Sequence, residues 1–245
     1  MRAMILAAGL GSRLRPLTDR LPKPLVEVGG HPLIAYPLAL CRAAGIREVV
    51  INLHHHGDAI RSALGDGRAF GVSIAYSPED PLLDTGGGIL QARPLLGEER
   101  FVVLNSDSII DLDLRALAAD HVARGAVATM VLRRDREQAR FGQIEIDAAH
   151  RVRRFLGRPA TVDEPLTAYM FAGVHVLEPQ VYGHMASGTF GIVKQTYPAM
   201  LAAGRAVSGY MYDGYWRVLD THAGLAEGRY EFSAGANPLR PAHRP

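Results

Sequence analysis

The segment Leu6–Leu25, LAAGLGSRLRPLTDRLPKPL, concentrates the residue types that hold a phosphate. Ala7, Ala8, Gly9, Gly11 and Ser12 are small, so backbone N–H groups there can approach an anion closely. Arg13, Arg15 and Lys23 add side-chain cations, and Pro22 and Pro24 keep the Lys23 segment extended and restrict its freedom. The competing reading is an ordinary glycine turn with solvated arginines. Two other phosphate loops are excluded. The third glycine of a G-x-G-x-x-G dinucleotide fingerprint falls on Leu14, and no Gly-Lys-Ser/Thr follows.

Further along, Asn105-Ser106-Asp107 follows the apolar run Phe101–Leu104. A carboxylate at the C-terminal end of a parallel strand lies where open α/β sheets bind ligands. It also suits Mg²⁺, which takes one or two carboxylates together with substrate phosphates. An Asx turn is the plainer alternative. Thr85-Gly86-Gly87-Gly88 reads as a second glycine turn before a helix, which allows either a ligand-facing backbone or a simple connection. The triplet His54-His55-His56 is not read as a metal site. Consecutive side chains converge poorly on one ion, and no Cys or carboxylate stands at ligand spacing.

These groups need a scaffold. Met4–Ala7, Glu48–Asn52, Val72–Ser77, Phe101–Leu104 and Ala126–Arg133 read as strands. Between them fall helices starting at Pro32 (kinked at Pro37) and over Asp58–Leu64, Ile89–Leu95 and Leu114–Arg124, the last capped by Asp113. This β-α-β-α rhythm predicts a Rossmann-like α/β sandwich with a mostly parallel, mixed central sheet. The second half predicts a hairpin of Gln143–Asp147 with Arg151–Phe155, a long strand Ala168–Leu177, a helix Ile192–Leu201, a strand Val207–Tyr212 and a helix Thr221–Tyr230. With no linker evident, residues 1–232 are expected as a single domain. Residues 1–112 form its nucleotide-binding half and 113–232 its sugar-phosphate half, with 233–245 a loose tail.

Composition narrows the partners. A formal net charge of +2 without a Lys/Arg block argues against nucleic acid. The single cysteine, Cys41, rules out a disulfide within the chain. The apolar start is too short for a signal sequence or a membrane span, so a cytoplasmic protein is expected, monomeric or a small homo-oligomer.

The run Ala7-Ala8-Gly9-x-Gly11-Ser12-Arg13-Leu14-x-Pro16-Leu17-Thr18, followed by Pro22-Lys23-Pro24-Leu25, resembles the signature of the sugar-1-phosphate nucleotidyltransferase family. The resemblance implies a GT-A-like nucleotidyltransferase fold and the joining of a nucleoside triphosphate to a sugar 1-phosphate. It implies that Gly9, Gly11 and Ser12 line the triphosphate, that Arg13 stabilises the phosphates and leaving pyrophosphate, and that Lys23 reaches the reacting centre. Ala7, Ala8, Asn105 and Ser106 are implied to border the nucleotide, and Thr85, Gly86 and Gly87 to pack on its base. Asp107 matches the family's Mg²⁺-binding aspartate. Arg158 stands where a phosphate-holding lysine is common, and Glu145 and Gly173 resemble sugar-contacting positions. The triple glycine resembles the N-acetylmuramate-1-phosphate uridylyltransferase branch. GTP with mannose- or heptose-1-phosphate is the alternative substrate pair.

One position departs from the pattern. The family's Trp-x-Asp-x-Gly-Thr carries its second Mg²⁺ ligand, but this chain reads Trp216-Arg217-Val218-Leu219-Asp220-Thr221. Valine cannot bind the ion. Three readings follow. Asp220 replaces the ligand by a two-residue shift on the same strand face. Asp107, phosphates and water hold the metal without it. Or the enzyme is impaired; separately, a non-catalytic nucleotide-sugar sensor on the same fold is a competing function, favoured by Val218 and opposed by Arg13, Lys23 and Asp107. Asp220 could also be a plain helix cap beside Thr221. A dehydrogenase is the remaining competitor, opposed by the missing third glycine.

Overall fold

The computed structural model describes residues 1–134, 143–159 and 161–235, so the expected loose tail lies outside the described residues from 236 onward. In chain order the elements begin with β1 (Arg2–Leu6), β2 (Glu27–Val28), β3 (His31–Pro32), α1 (Ala35–Ala43), β4 (Glu48–Leu53), α2 (Gly57–Leu64) and β5 (Ser73–Pro78). They continue with α3 (Asp84–Gln91), α4 (Arg93–Leu96), β6 (Phe101–Asn105), β7 (Ser108–Ile110), α5 (Leu114–Arg124) and β8 (Ala128–Arg133). Last come β9 (Ile144–Ile146), β10 (Val152–Phe155), β11 (Thr167–Leu177), α6 (Tyr197–Ala202), β12 (Val207–Met211), β13 (Trp216–Val218) and α7 (His222–Ser233). Two compact units result, each discontinuous in sequence. One gathers Arg2–Leu82, Leu104–Leu114 and the chain from Gly214; the other gathers Leu83–Val103 and Arg115–Asp213.

In the unit containing β1, the strands β1, β4 and β5 are parallel, with Leu6 opposite Asn52 and Asn52 opposite Ser77. β1 and β4 are near-continuous apolar runs, as strands buried on both faces require, whereas β5 is largely unburied. Ala3, Met4, Ile5 and Ile51 are fully buried. The connections carry α1 and α2. Helix α1 begins at Ala35, later than the sequence predicts. Pro37 is therefore in its first turn, where a missing N–H leaves no bond unmade, and the expected kink has no cause. Leu14, Val26, Val28, Leu33, Tyr36, Ile109, Leu219, Leu225 and Phe232 form one apolar cluster. It ties the loop after β1, through Leu14, to β7 through Ile109 and to the end of β13 through Leu219. Tyr36 donates to Val28 O at 2.7 Å, and burial pushes its phenol up to about 12.

The unit containing β11 is built differently. β11 runs antiparallel to β8 and β9, β9 antiparallel to β10, and β12 parallel to β8. The predicted hairpin forms as β9 and β10, and the predicted long strand as β11. The helix expected over Ile192–Leu201 divides into a wide π-type turn, Ile192–Thr196, and α6. Pro198 cannot donate back into the preceding turn, which favours that break.

A second correction concerns the triple glycine. The segment is not a turn leading into a helix; Asp84–Gln91 is itself helical. Gly86 N and Gly87 N donate to Phe190 O at 2.9 and 3.2 Å. A Cβ on Gly86 would lie 2.2 Å from the Phe190 ring, and one on Gly87 2.5 Å from Gly188 O. Close packing of the helix start on residues 188–190 thus explains these glycines.

Candidate functional site

The loop after β1 makes short 3₁₀ turns at Ser12–Leu14, Leu17–Asp19 and Lys23–Leu25. Gly11, at φ +63°, makes the first of them possible. A side chain there would meet Thr18 Cγ2 at 2.8 Å and Lys23 Cβ at 3.3 Å. This position therefore needs glycine for both backbone and space. The segment expected to be extended is instead a 3₁₀ turn over Lys23–Leu25, closed by Val26 N donating to Lys23 O at 3.0 Å with only Pro22 and Val26 extended on either side, and the lysine is mostly buried.

Opposite this loop stands a small antiparallel ribbon that the sequence reading missed. β7 pairs with β13, with Trp216 opposite Ile110, Arg217 opposite Ile109 and Val218 opposite Ser108. Leu219 N then donates to Asp107 O at 2.8 Å, extending the pairing by one step. The segments carrying Asp107 and Asp220 are thereby brought side by side. Tyr215 Oη reaches Glu231 of α7 at 2.9 Å, and Arg217 bonds Glu231 and Glu227, which fixes the ribbon on the helix. Thr221 caps α7 by accepting from Gly224 N at 3.1 Å. The cap is Thr221, so the plain-cap reading of Asp220 is corrected.

The segments so joined each carry an ion pair to the loop after β1. Lys23 Nζ lies 2.7 Å from Asp107 Oδ2, and Arg13 reaches Asp220 Oδ2 at 2.8 Å. Asp220 is 3% exposed, whereas Arg13 is 63% exposed. A carboxylate withdrawn from water needs such a partner, because burial without one is costly. The four residues predicted to neutralise phosphate and hold metal thus form two cation–carboxylate pairs, their aspartates on segments joined through the Leu219–Asp107 backbone bond.

The donor set suits a hard divalent cation: two aspartates, with neither Cys nor His among them. Among the described residues, no group of three or more His, Cys, Asp or Glu could hold a metal by itself. An ion here would therefore complete its shell with phosphate oxygens and water, as Mg²⁺ commonly does.

Other predicted residues have defined positions. Ser106 donates its hydroxyl to Leu6 O at 2.6 Å, binding the end of β6 to the end of β1. Ala7 and Ala8 are buried and Gly9 is exposed. His55 and His56 direct Nε2 at Thr18 O and Asp19 O, at 3.0 and 3.2 Å, and His54 directs Nδ1 at Glu79 O at 2.9 Å. Thr85, Gly86, Gly87, Glu145, Arg158 and Gly173 belong to the other unit. Thr85 Oγ1 accepts from Ile192 N at 3.1 Å. Glu145 pairs with Arg154 across the hairpin at 3.1 Å. Arg158 lines a cavity of about 740 Å³ with Arg153, Asp163, Glu164, Pro198 and Leu201. Gly173, at φ +85°, sits where the register of β11 shifts between Phe171 and His175.

Sequence reasoning also passed over Asn52 and Glu79. Both are almost fully buried, and Asn52 Nδ2 donates to Glu79 Oε1 at 2.7 Å. The available signal was a polar residue closing an otherwise apolar strand.

Residues 2–232 match the nucleotidyl transferase family model, and the chain belongs to that family of enzymes. It is 38% identical over 232 residues to an N-acetylmuramate alpha-1-phosphate uridylyltransferase of Neisseria meningitidis serogroup B, covering 93% of this chain and 96% of that one. It is 32% identical to a mannose-1-phosphate guanylyltransferase of Mycobacterium tuberculosis, covering 96% of this chain and 66% of the relative. Among solved structures, a Bacillus anthracis protein provisionally described as a glucose-1-phosphate thymidylyltransferase superposes with a TM-score of 0.84 at 23% identity, covering 98% of both chains. That likeness establishes the mixed α/β nucleotidyltransferase fold. Among the described residues no helix is long and apolar enough to cross a membrane.

Proposed function

We propose that the chain condenses UTP with N-acetylmuramic acid 1-phosphate, or a closely related sugar 1-phosphate, releasing pyrophosphate. The observation that carries this reading is the pairing of Lys23 with Asp107 and of Arg13 with Asp220, on segments joined by the Leu219–Asp107 backbone bond. Two cations beside two carboxylates suit a polyanion arriving with a divalent ion. The uridylyl and sugar assignments rest on the 38% identity that spans nearly the whole of the Neisseria relative.

The sugar phosphate oxygen attacks the α-phosphorus in line, the bond to the β-phosphate oxygen breaks, and pyrophosphate leaves. The nucleophile is already anionic, so no general base is needed. Arg13 turns from Asp220 to the phosphates and neutralises charge gathering on the leaving group. Lys23 does the same nearer the α-phosphorus, its chain held by Pro22 and Pro24. Gly11 keeps the loop compact enough for both cations to face one ligand. Asp107 and Asp220 would hold Mg²⁺, which supplies charge neutralisation and phosphate orientation. Catalysis on this reading is positioning and electrostatics. A cytoplasmic setting, where nucleoside triphosphates are made, belongs to the same reading.

The guanylyl alternative draws on the mannose-1-phosphate relative, which spans as much of this chain. Pyrophosphate release from a matrix of nucleoside triphosphates and sugar 1-phosphates decides between them. UTP with N-acetylmuramic acid 1-phosphate should give the highest kcat/KM. Preference for GTP with mannose 1-phosphate would replace the assignment, and silence across the matrix would refute transfer altogether.

A further inference from the structure

Asn52 and Glu79 form a buried polar pair beneath the loop after β1, within the same compact unit. They are 3% and 4% exposed, and neither belongs to the catalytic set above. Buried amides and carboxylates are costly unless each atom finds a partner. Here the partners impose an orientation. A carboxylate only accepts, so Asn52 must turn its NH₂ towards Glu79 Oε1, 2.7 Å away. Its Oδ1 then faces the opposite way and accepts the Ala7 N–H at 2.8 Å. Glu79 is itself tied to β4, its N donating to Leu53 O at 2.7 Å and its O accepting from His54 Nδ1 at 2.9 Å.

The far end of the loop is held from the same segment. Carbonyl oxygens accept only, so His55 and His56 each carry a proton on Nε2 and donate to Thr18 O and Asp19 O. Thr18 relays the hold by donating its hydroxyl to Gly11 O at 2.9 Å. The end of β4 thus grips residue 7 through Asn52 and residues 18 and 19 through the histidines, with the glycines and Arg13 between.

We infer that Asn52 and Glu79 are positioning residues of the phosphate loop, setting where its amides and Arg13 meet the nucleotide, with His55 and His56 as the second hold. The inference rests on the nucleotidyltransfer reading for its kinetic consequence. A displacement of about 1 Å in a phosphate-positioning group costs on the order of 10²-fold in rate. The Ala7 amide is meanwhile spent on Asn52, which makes its role structural.

The full-length protein tests this with Asn52→Leu, Glu79→Leu, Glu79→Gln and His55→Ala, each confirmed folded by circular dichroism. Asn52→Leu should lower kcat by about 10- to 100-fold with a smaller change in nucleotide KM. Amide exchange over residues 7–19 should accelerate while exchange in α5 is unmoved. Glu79→Leu should follow it, and Glu79→Gln, which keeps an acceptor for Asn52 Nδ2, should recover most of the loss. Should Asn52→Leu fail to fold, His55→Ala at its half-exposed position carries the test, with faster exchange around Thr18 and a several-fold loss of kcat. A folded Asn52→Leu with wild-type kcat and wild-type loop exchange overturns the inference. A wild type that releases no pyrophosphate sinks the transfer reading instead, and loop exchange in the variants still decides whether the clamp exists.

Discussion

Asp220 Oδ2 lies 2.8 Å from the Arg13 guanidinium, while Val218, two residues earlier, stands opposite Ser108 in the ribbon. On the resemblance the family's ligand position falls on Val218, and here a carboxylate two residues on is paired with the loop's Arg13. Substituting Asp220→Asn should cut turnover by at least about 10²-fold, the scale of several kcal/mol of lost charge stabilisation, and raise the Mg²⁺ concentration for half-maximal rate. Val218→Ala should change neither by more than a few-fold. Mg²⁺ titrations of pyrophosphate release check both. An unchanged titration for Asp220→Asn would return the ion to Asp107, phosphates and water alone.

Arg13 and Lys23 are each assigned to charge that develops during transfer. Arg13→Gln should lower kcat by about 10²–10³-fold, as loss of one preorganised electrostatic contact does. Lys23→Met should act similarly and leave Asp107 without its partner. EDTA should abolish wild-type turnover, and added Mg²⁺ should restore it. A charge-neutral Arg13 variant with full turnover refutes its role.

Gly86 poses two effects against each other. Alanine in a helix gains up to about 1 kcal/mol over glycine. Here its Cβ would stand 2.2 Å from the Phe190 ring, and forcing atoms into a packed site costs roughly 1–3 kcal/mol. Overpacking wins, so Gly86→Ala should lower stability by about 1–2 kcal/mol. Gly183→Ala, with nothing within 4 Å, should stay within about 0.5 kcal/mol. Denaturant midpoints distinguish them, and an undiminished Gly86→Ala would show that Phe190 moves aside at little cost.

Buried histidine sets a pH dependence. Burial pushes His175 from 6.5 down to about 3, leaving it neutral against Tyr197. Below pH about 6.5 the unfolded chain takes up a proton that the folded chain refuses, so stability falls as pH drops from there towards 3. The slope reaches at most about 1.4 kcal/mol per pH unit for this group, and above 6.5 its contribution is level. His121, also lowered chiefly by burial although Glu178 opposes the shift, acts in the same direction. Denaturation at pH 7.5, 6 and 5 should show the decline, shallower in His175→Gln. An identical slope in that variant would exclude His175 as its source.

Several features were legible from residues alone because local chemistry decides them. The strands β1, β4 and β6 follow from short apolar runs, and their ends are marked by the glycines and polar residues that bear the site. Gly11, Arg13, Lys23 and Asp107 could be named because a phosphate loop and a strand-end carboxylate leave compact patterns. The helical state of Thr85–Gly88 was misjudged because packing on residues 188–190 overrode the local glycine cue, while the start of α1 and the π-type turn before α6 were misjudged at the prolines near their ends. The β7–β13 ribbon escaped notice because a strand of three residues carries almost no periodicity.

What the sequence determined by itself was the inventory: small residues and cations for an anion, a carboxylate at a strand end, and an α/β chain to carry them. Only the tertiary structure decided the pairing. Arg13 and Asp220 are separated by most of the chain, and no spacing rule connects them. Backbone bonding of Leu219 to Asp107 and the apolar cluster joining Leu14, Ile109 and Leu219 bring those segments together. Such contacts depend on which surfaces bury one another, a long-range property that neither hydrophobic period nor motif encodes.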